Sequence, residues 1–375
     1  MALNLRCPII INTALPNTAY ALLDITIWSG SVTSPPSAQY NLRKNNTGVF
    51  LNFEISELVR DYIDITFDGN YNGQAVWVKW VHTAFDSANQ IIYGPAQSIQ
   101  LAVDGYYYFE EAQTATPSLL ISNRELFVLE DNTFRIPIYA LRNPIVTFFK
   151  DGEVIASETI DSSTDSSTQI KYVSIYGDDV NYDTFQERVV ETGGTFEDNY
   201  CIESFLNKFS IGAVDKITVS DSSGIETIKV NVIEECKYEP KKVTFINKFG
   251  ALQDMYFFKK SKENLSIKKE SYKSNIALNY GGYNSTTHVN RDFNVIGNES
   301  ISLSSGYLSE EYNEVFKQLL LSEKVWITNI IETGEQVLPI NVKTSSIAYK
   351  TSVNDKLVDY TIEFDKSFDT INNIR

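Results

Sequence analysis

The chain has 375 residues, 43% hydrophobic content and a formal net charge of −16, which is enough apolar sequence for about two or three domains. The negative charge argues against non-specific binding of duplex DNA, because phosphate recognition needs a basic surface. Aromatic residues make up 13% of the chain and are nearly all Tyr and Phe, which favour strands. The composition therefore predicts a mainly β protein.

Cys7, Cys201 and Cys236 lie far apart, and the chain has only two histidines, His82 and His288. This spacing fits neither a disulfide framework nor a zinc site, so we expect inert thiols in a reducing compartment, with no metal or cofactor. The N-terminus lacks the pattern of a secretory signal, and no apolar run is long enough to span a membrane. We expect a protein that stays in the cytoplasm until it is used.

Residues 1–112 are predicted to form a β-sandwich of immunoglobulin or fibronectin type. The strands are expected at residues 19–28, 48–53, 75–81, 91–103 and 105–109. A short helix after the second strand would be capped by Ser56. Trp77 and Trp80 are expected to face opposite sides of their strand, one in the core and the other available for a contact.

Residues 113–235 are predicted to form a second β-sandwich, because short apolar runs alternate with turns. Asp151-Gly152 between two apolar runs predicts a hairpin with a type I′ turn. A further pair of strands is expected about the turn Asp221–Gly224. The polar stretch Asp161–Ser167 is expected to be an exposed loop.

Residues 236–375 are predicted to form a β-rich domain with one helix at about 309–321. The boundary is placed before this range because the charge changes sign there and Pro240 cannot donate to a strand ladder. Ser309 is expected to cap the helix, and its apolar stripe comprises Tyr312, Val315, Phe316, Leu319 and Leu320.

A cluster of lysines opens this third part of the chain and contrasts with the acidic stretch around Asp161–Asp198. It comprises Lys237, Lys241, Lys242, Lys248, Lys259, Lys260, Lys262, Lys268, Lys269 and Lys273. One interpretation is a solvated strand edge guarded by lysines. The other is a basic face that meets the acidic face of another subunit, with Lys259 and Lys260 as inter-subunit contacts.

The run Gly105–Phe109 has the sequence GYYYF. Tyrosine offers an apolar face and a polar tip, so Tyr106, Tyr107 and Tyr108 are candidates for an inter-subunit contact or for stacking on carbohydrate. A structural role in the core and in an interface is the simpler interpretation.

Catalytic and metal-binding motifs are missing from the sequence. The carboxylate pairs Asp178-Asp179, Glu54 with Glu57, and Glu310-Glu311 match a glycosidase only by residue type. The acidic runs Asp161–Asp165 and Asp178–Asp183 lack the full ligand series of a calcium loop. We therefore expect no enzymatic activity and no bound ion.

Three stretches of the C-terminal third resemble structural proteins of tailed phages that infect Bacteroidota, of the crAss-like type. They are VTFINKFGALQDMYFFKKS (Val243–Ser261), GYLSEEYNEVFKQLLLSEKVWI (Gly306–Ile327) and the segment from Leu338 to Arg375. The resemblance covers about 130 residues and brings no catalytic residue with it. It implies a virion protein of the tail, the collar ring or the baseplate hub.

From this resemblance we expect a subunit of a cyclic homo-oligomer in the phage tail or neck, with six- or twelve-fold symmetry by analogy. It would be assembled in the host cytoplasm and would contact neighbouring virion proteins, while DNA passes through the lumen without specific binding. The alternative is a β-sandwich module that binds carbohydrate or a receptor, such as a tail-fibre adaptor.

Overall fold

The computed structural model describes residues 2–13, 16–48, 50–111, 115–129, 133–176, 214–235, 237–275, 282, 285–331, 334–348 and 357–371. Over these residues the chain is mainly β, with two sandwich-like regions followed by a β-rich region that carries a packed helix. The predicted fold class is therefore confirmed. We call residues 1–112, 113–235 and 236–375 regions one, two and three; the boundaries themselves stay a prediction.

Region one contains a five-stranded sheet in the order β1-β7-β6-β3-β4 and a two-stranded sheet of β2 and β5. Its elements are β1 (Leu3–Asn4), β2 (Ile10–Thr13), β3 (Tyr20–Trp28), β4 (Tyr40–Asn45), β5 (Leu51–Glu54), α1 (Ser56–Arg60), β6 (Ala75–Phe85) and β7 (Ile91–Val103). One face of the large sheet packs on β5 and α1 and includes Leu23 and Val78. The other face presents Trp28 and Trp77 to regions two and three.

The alternation of side chains along β6 separates its two tryptophans, as predicted. Trp77 is buried against regions two and three, and its indole N–H donates to the Gly30 carbonyl at 3.0 Å. Trp80 is half-buried on the opposite face, against the cluster that contains α1.

The predicted cap of the first helix is wrong. Ser56 is the first residue of α1, Ile55 holds the N-cap position, and neither side chain caps the helix. Instead, the Glu54 carboxylate accepts the Ser56 N–H at 2.8 Å and also the Ser56 hydroxyl. Because β5 runs directly into α1, the last strand residue supplies the acceptor that a capping serine would otherwise provide.

Region two contains a five-stranded sheet in the order β11-β10-β13-β14-β8 and a two-stranded sheet of β12 and β9. Its strands are β8 (Glu125–Leu129), β9 (Thr133–Tyr139), β10 (Ile145–Lys150), β11 (Glu153–Thr159), β12 (Ile170–Tyr176), β13 (Lys216–Asp221) and β14 (Gly224–Ile233). The predicted hairpin is confirmed: Asp151 and Gly152 join β10 to β11 with φ of 50° and 86°, as a type I′ turn requires. The pairing of Asp221 with Gly224 confirms the second turn.

Region three contains a seven-stranded antiparallel sheet in the order β16-β15-β20-β21-β23-β18-β17. Its elements are β15 (Lys241–Ile246), β16 (Leu252–Phe257), β17 (Lys262–Lys273), β18 (Asn290–Ser304), β19 (Leu308–Ser309), α2 (Tyr312–Leu321), β20 (Val325–Ile331), β21 (Gly334–Val342), β22 (Leu357–Val358) and β23 (Thr361–Lys366). Phe316 of α2 is fully buried, with ring centroids 6.3 Å from Phe257 and 4.7 Å from Tyr360.

The helix in region three begins later than predicted. Ser309 pairs with β22 as part of β19, so it cannot cap α2, and Glu311 is the N-cap residue without a side-chain hydrogen bond to the helix. The apolar stripe itself is confirmed, with Tyr312, Val315 and Leu319 buried. Leu320, at the edge of the stripe, is only partly buried.

The three regions share their cores. One apolar cluster joins region two, through residues such as Phe148 and Val230, to Phe245 and Phe364 of region three. A second cluster contains residues from all three regions, including Trp77, Tyr172 and Trp326. Among the clusters of described residues, the third belongs to region one alone. The described regions therefore pack as one body around continuous apolar contacts.

Candidate assembly surfaces

The tyrosine run GYYYF does not form the predicted strand. Residues 105–108 have no regular secondary structure, and a 3₁₀ turn follows at Phe109–Glu111. The Tyr106 N–H donates instead to the Lys248 carbonyl at 2.7 Å, in the turn between β15 and β16. A Cβ atom on Gly105 would lie only 2.9 Å from that same oxygen. This close approach to region three replaces strand pairing.

Tyr108 attaches this segment to α2. Its hydroxyl donates to Glu314 Oε1 at 2.8 Å, and Lys317 Nζ lies 3.3 Å from the centroid of its ring. The pKa of Tyr108 is raised well above its usual value, mainly by burial and secondly by the hydrogen bond to Glu314. Lys248, also near the ring, forms an ion pair with Glu111 at 3.0 Å. Tyr108 thus contributes to an internal seam between regions one and three.

Tyr106 and Tyr107 face the N-terminal segment. Tyr106 is buried under the Arg6 guanidinium, which lies 4.8 Å from its ring centroid, and burial raises the pKa of Tyr106 to about 12. The Tyr107 N–H donates to Cys7 Sγ at 3.4 Å. All three tyrosines therefore have partners within the chain, whereas the adjacent Phe109 is fully exposed. Their proposed role between subunits stays a prediction.

The two candidate lysines, Lys259 and Lys260, lie just before β17. Lys259 forms an ion pair with Glu235 at 2.7 Å, and its aliphatic stem covers Gly306. Lys260 is exposed beside it. The described contacts of Lys259 are therefore internal, and Lys260 is the more exposed residue of the pair.

The most exposed part of region three is the β17–β18 ribbon, formed by β17 and its hairpin partner β18. β17 is the last strand of the seven-stranded sheet, and all 12 of its residues are exposed. Leu265 is 56% exposed and Ile267 is 59% exposed. Tyr272 of β17 and Phe293 of β18 stack edge to face, 5.6 Å apart. Such an exposed apolar surface is a feature of interaction sites.

The sequence pattern did not single out this apolar surface. Asn264-Leu265-Ser266-Ile267 alternates as in a strand with one covered face, and a guarded strand edge was one of two interpretations of the surrounding lysine cluster. The edge position is as that interpretation expects. The exposure of Leu265 and Ile267 depends on whether another layer covers β17, and a strand pattern does not contain that information.

A charged cleft of about 410 Å³ lies between α1 and the segment that follows α2. Arg60 Nε contacts Asp104 Oδ1 at 2.8 Å, and Lys324 Nζ contacts Asp64 Oδ1 at 3.0 Å. Burial raises the pKa of the Asp104 carboxyl, and the Arg60 guanidinium opposes this rise without cancelling it. The charged groups of the cleft other than Asp61 form ion pairs with one another, including Arg60 with Glu323, so the cleft forms a second seam between regions one and three.

Several of the carboxylates considered for catalysis or calcium have structural contacts. Glu54 binds the first residue of α1, Glu311 accepts the Arg124 N–H at 3.0 Å, and Asp165 accepts the Ser167 N–H at 2.9 Å. Asp178–Asp183 lie outside the described residues, as do Cys201 and Cys236, while Cys7 is buried.

Within the described ranges, His, Cys, Asp and Glu side chains form no group of three or more that could hold a metal ion. A search of the same residues for a long apolar helix that could cross a bilayer finds none.

Comparison with known proteins gives no family. No family model matches the sequence, and no curated protein matches it. The crystal structure of calcium binding domain CBD12 of CALX1.1 is similar at 9% identity, over 62% of this chain and 96% of that chain, with a TM-score of 0.19. The native conformation of E. coli alpha-2-macroglobulin is similar at 8% identity, over 96% of this chain but 20% of that chain, also with a TM-score of 0.19. Neither TM-score establishes a shared fold.

Proposed function

We propose that the protein is a structural subunit of a phage virion, which forms an oligomeric ring in the tail or neck and acts through protein–protein contacts. The observation that carries the proposal is the β17–β18 ribbon, whose edge strand exposes aliphatic side chains along a sheet edge with which no described strand pairs. Exposed edges of this kind pair readily with another chain.

The shared cores support the same proposal. Regions one, two and three pack through apolar clusters that cross their boundaries, and the internal seams at Tyr108 and Arg60 add polar contacts. A subunit of a ring transmits load between its neighbours, so a body with continuous cores and an exposed ribbon suits that role. The resemblance of Val243–Ser261 and Gly306–Ile327 to phage structural proteins supplies the virion context.

The alternative role in carbohydrate binding rests on the tyrosine run. The contacts described above favour this alternative less than a role in assembly. Tyr106 is buried, and the hydroxyl of Tyr108 is bonded to Glu314. The cavity beside Tyr106 and Phe249 measures about 240 Å³, smaller than the roughly 300–1,000 Å³ of typical ligand pockets. Retention of a monomeric protein on a glycan array would favour this alternative.

The test combines particle composition with oligomeric state. Peptides of this chain should be found by mass spectrometry in purified phage particles. The full chain should form rings in negative-stain images, with a matching mass by light scattering after size-exclusion chromatography. Leu265→Glu with Ile267→Glu should weaken assembly, because the changes place charges on the apolar ribbon.

Phe50→Glu is the matched control, since Phe50 is also an exposed apolar residue, at 60%, but lies in region one outside the ribbon. It should leave assembly unchanged. A chain that is absent from particles and remains a monomer at all accessible concentrations would contradict the proposed function.

A further inference from the structure

Two strands in different regions end their sheets with an unpaired edge. β17 is the outermost strand of the seven-stranded sheet, and β11 is the outermost strand of the five-stranded sheet in region two. Within the described part of the chain, no strand pairs with the outer side of either one. Each edge therefore presents backbone N–H and carbonyl groups that another strand can use.

The two edges carry opposite charge. Residues 259–273, which contain β17, have six lysines against two glutamates. Residues 151–165, which contain β11, have five acidic residues and no lysine or arginine. Lys262 and Lys268, like Glu153 and Glu158, form no ion pair with described residues, so these charges remain available.

Regions two and three differ in charge in the same sense as the two edges. Region two has nine Lys and Arg residues against 21 Asp and Glu residues, whereas region three has 18 against 17. A contact between region three of one copy and region two of the next is therefore favoured over a contact between two copies of region two.

The charges also determine the symmetry of the contact. A two-fold contact centred on one edge would place β17 against β17 or β11 against β11, and like charges directly opposite one another destabilise strand pairing. A contact between β17 and β11 places opposite charges together. When each copy uses its β17 and its β11 with two different neighbours, the contact is heterologous, and repetition of such a contact produces a ring or a filament.

Other exposed edges complement β17 less well. β4 carries Arg43 and Lys44, which repel a lysine-rich strand. The exposed part of β7 has no charged residue between positions 91 and 100 and contains Pro95, which cannot donate a hydrogen bond to a new strand. β11 combines acidic residues with the aliphatic Val154, which is 58% exposed.

We propose that the outer edge of β17 pairs with the outer edge of β11 on a neighbouring copy of this chain. The inference rests on the proposed function as an oligomeric subunit and identifies the two surfaces that meet. Main-chain hydrogen bonds supply the pairing, Leu265 and Ile267 of one copy cover Val154 of the next, and the lysines of β17 face the acids of β11.

The experiment uses charge reversal on the full-length chain. One variant carries Lys262→Glu and Lys268→Glu, and the other carries Glu153→Lys and Glu158→Lys. Each variant alone has two edges of like charge. The dissociation constant of its oligomer, measured by analytical ultracentrifugation, should therefore rise by about tenfold or more. When the two are mixed in equal amounts, every edge again meets an opposite charge. Mixed oligomers should then form at concentrations where neither variant assembles alone.

The control is Lys44→Glu with Lys343→Glu, which makes the same change in net charge as the variant with Lys262→Glu and Lys268→Glu, on exposed lysines outside the two edges. Circular dichroism should show that all variants are folded. Assembly of each reversal variant at the wild-type concentration, or failure of the mixture to assemble, would overturn this inference while the proposed function stands. A monomeric wild-type chain overturns the inference in any case, and overturns the proposed function as well if the chain is also absent from particles.

Discussion

At the scale of single residues, the hydrogen bond between Tyr108 and Glu314 fixes the tyrosine segment to α2. The donor and acceptor lie 2.8 Å apart in a partly buried setting. Tyr108→Phe removes the hydroxyl but keeps the ring beneath Lys317, so we expect a loss of about 1–2 kcal/mol in the free energy of unfolding. Urea titration followed by circular dichroism measures this loss.

The matched control for that change is Tyr307→Phe. Tyr307 is 71% exposed, so removal of its hydroxyl should leave the free energy of unfolding within about 0.5 kcal/mol of the wild type. Equal effects of the two substitutions would contradict a specific role of the bond to Glu314.

A second residue-scale prediction concerns acid stability and Asp221, in the turn between β13 and β14. Burial alone would raise the pKa of this carboxyl, but hydrogen bonds, chiefly from Ser118, and the Arg142 guanidinium outweigh it and lower the pKa to about 2. Because the folded-state pKa lies below the ordinary value of 3.8, the unfolded chain binds the proton more readily. The stabilisation by ionised Asp221 is therefore present above about pH 4 and lost as the pH falls to about 2.

Asp221→Asn tests this pH dependence. The variant should be less stable than the wild type at neutral pH, and the difference in the free energy of unfolding should shrink as the pH falls from about 4 to about 2. Urea titrations of both proteins across that range measure the difference. A difference that stays constant with pH would show that the ionised carboxylate makes no contribution of this kind.

At the scale of secondary-structure elements, the hairpin between β10 and β11 depends on one glycine. Gly152 has φ of 86°, and a Cβ atom there would meet no atom within 4 Å. Gly152→Ala therefore introduces backbone strain without a clash, and we expect a loss of about 1 kcal/mol in the free energy of unfolding. Gly48→Ala is the control, because Gly48 has similar space and no positive φ; chemical denaturation of both variants should separate them.

The elements show which features a sequence can predict. The Asp-Gly turn and the apolar stripe of α2 were predicted because they depend on local backbone preference and helical spacing. The caps at Ser56 and Ser309 were predicted wrongly, because Glu54 and the pairing of β19 with β22 are set by how neighbouring strands enter the helices. Helix-capping preferences do not include that tertiary context.

The candidate surfaces also divide into features that the sequence predicts and features that tertiary packing decides. A lysine-guarded strand edge was one of two interpretations of the lysine cluster, and the position of β17 agrees with it, since charged side chains protect sheet edges. The tyrosine run was predicted as a strand because its residues favour strands, yet Gly105 lies against the Lys248 carbonyl and the segment follows region three instead. Long-range packing of this kind overrides local propensity and leaves no periodic pattern in the sequence.

At the scale of the whole molecule, the shared cores make the stability of each of the three regions depend on the others. Phe67 of region one is buried, with its ring centroid 5.7 Å from that of Trp326 in region three and 4.9 Å from that of Tyr71. Tyr71 in turn donates a hydrogen bond to buried Asp254 of region three at 2.5 Å. Unfolding of region one would expose the apolar surface of region three, so the regions stabilise one another.

This coupling predicts that the described regions unfold in a single cooperative transition. Phe67→Ala removes a large buried side chain and should lower the free energy of unfolding by about 3–5 kcal/mol. The whole transition should move to lower denaturant concentration, and circular dichroism and tryptophan fluorescence should give the same midpoint. Phe50→Ala, at a 60% exposed position of the same region, should change little. Two separate transitions, of which Phe67→Ala moves only one, would mean that the apolar contacts between regions are too weak to couple their folding.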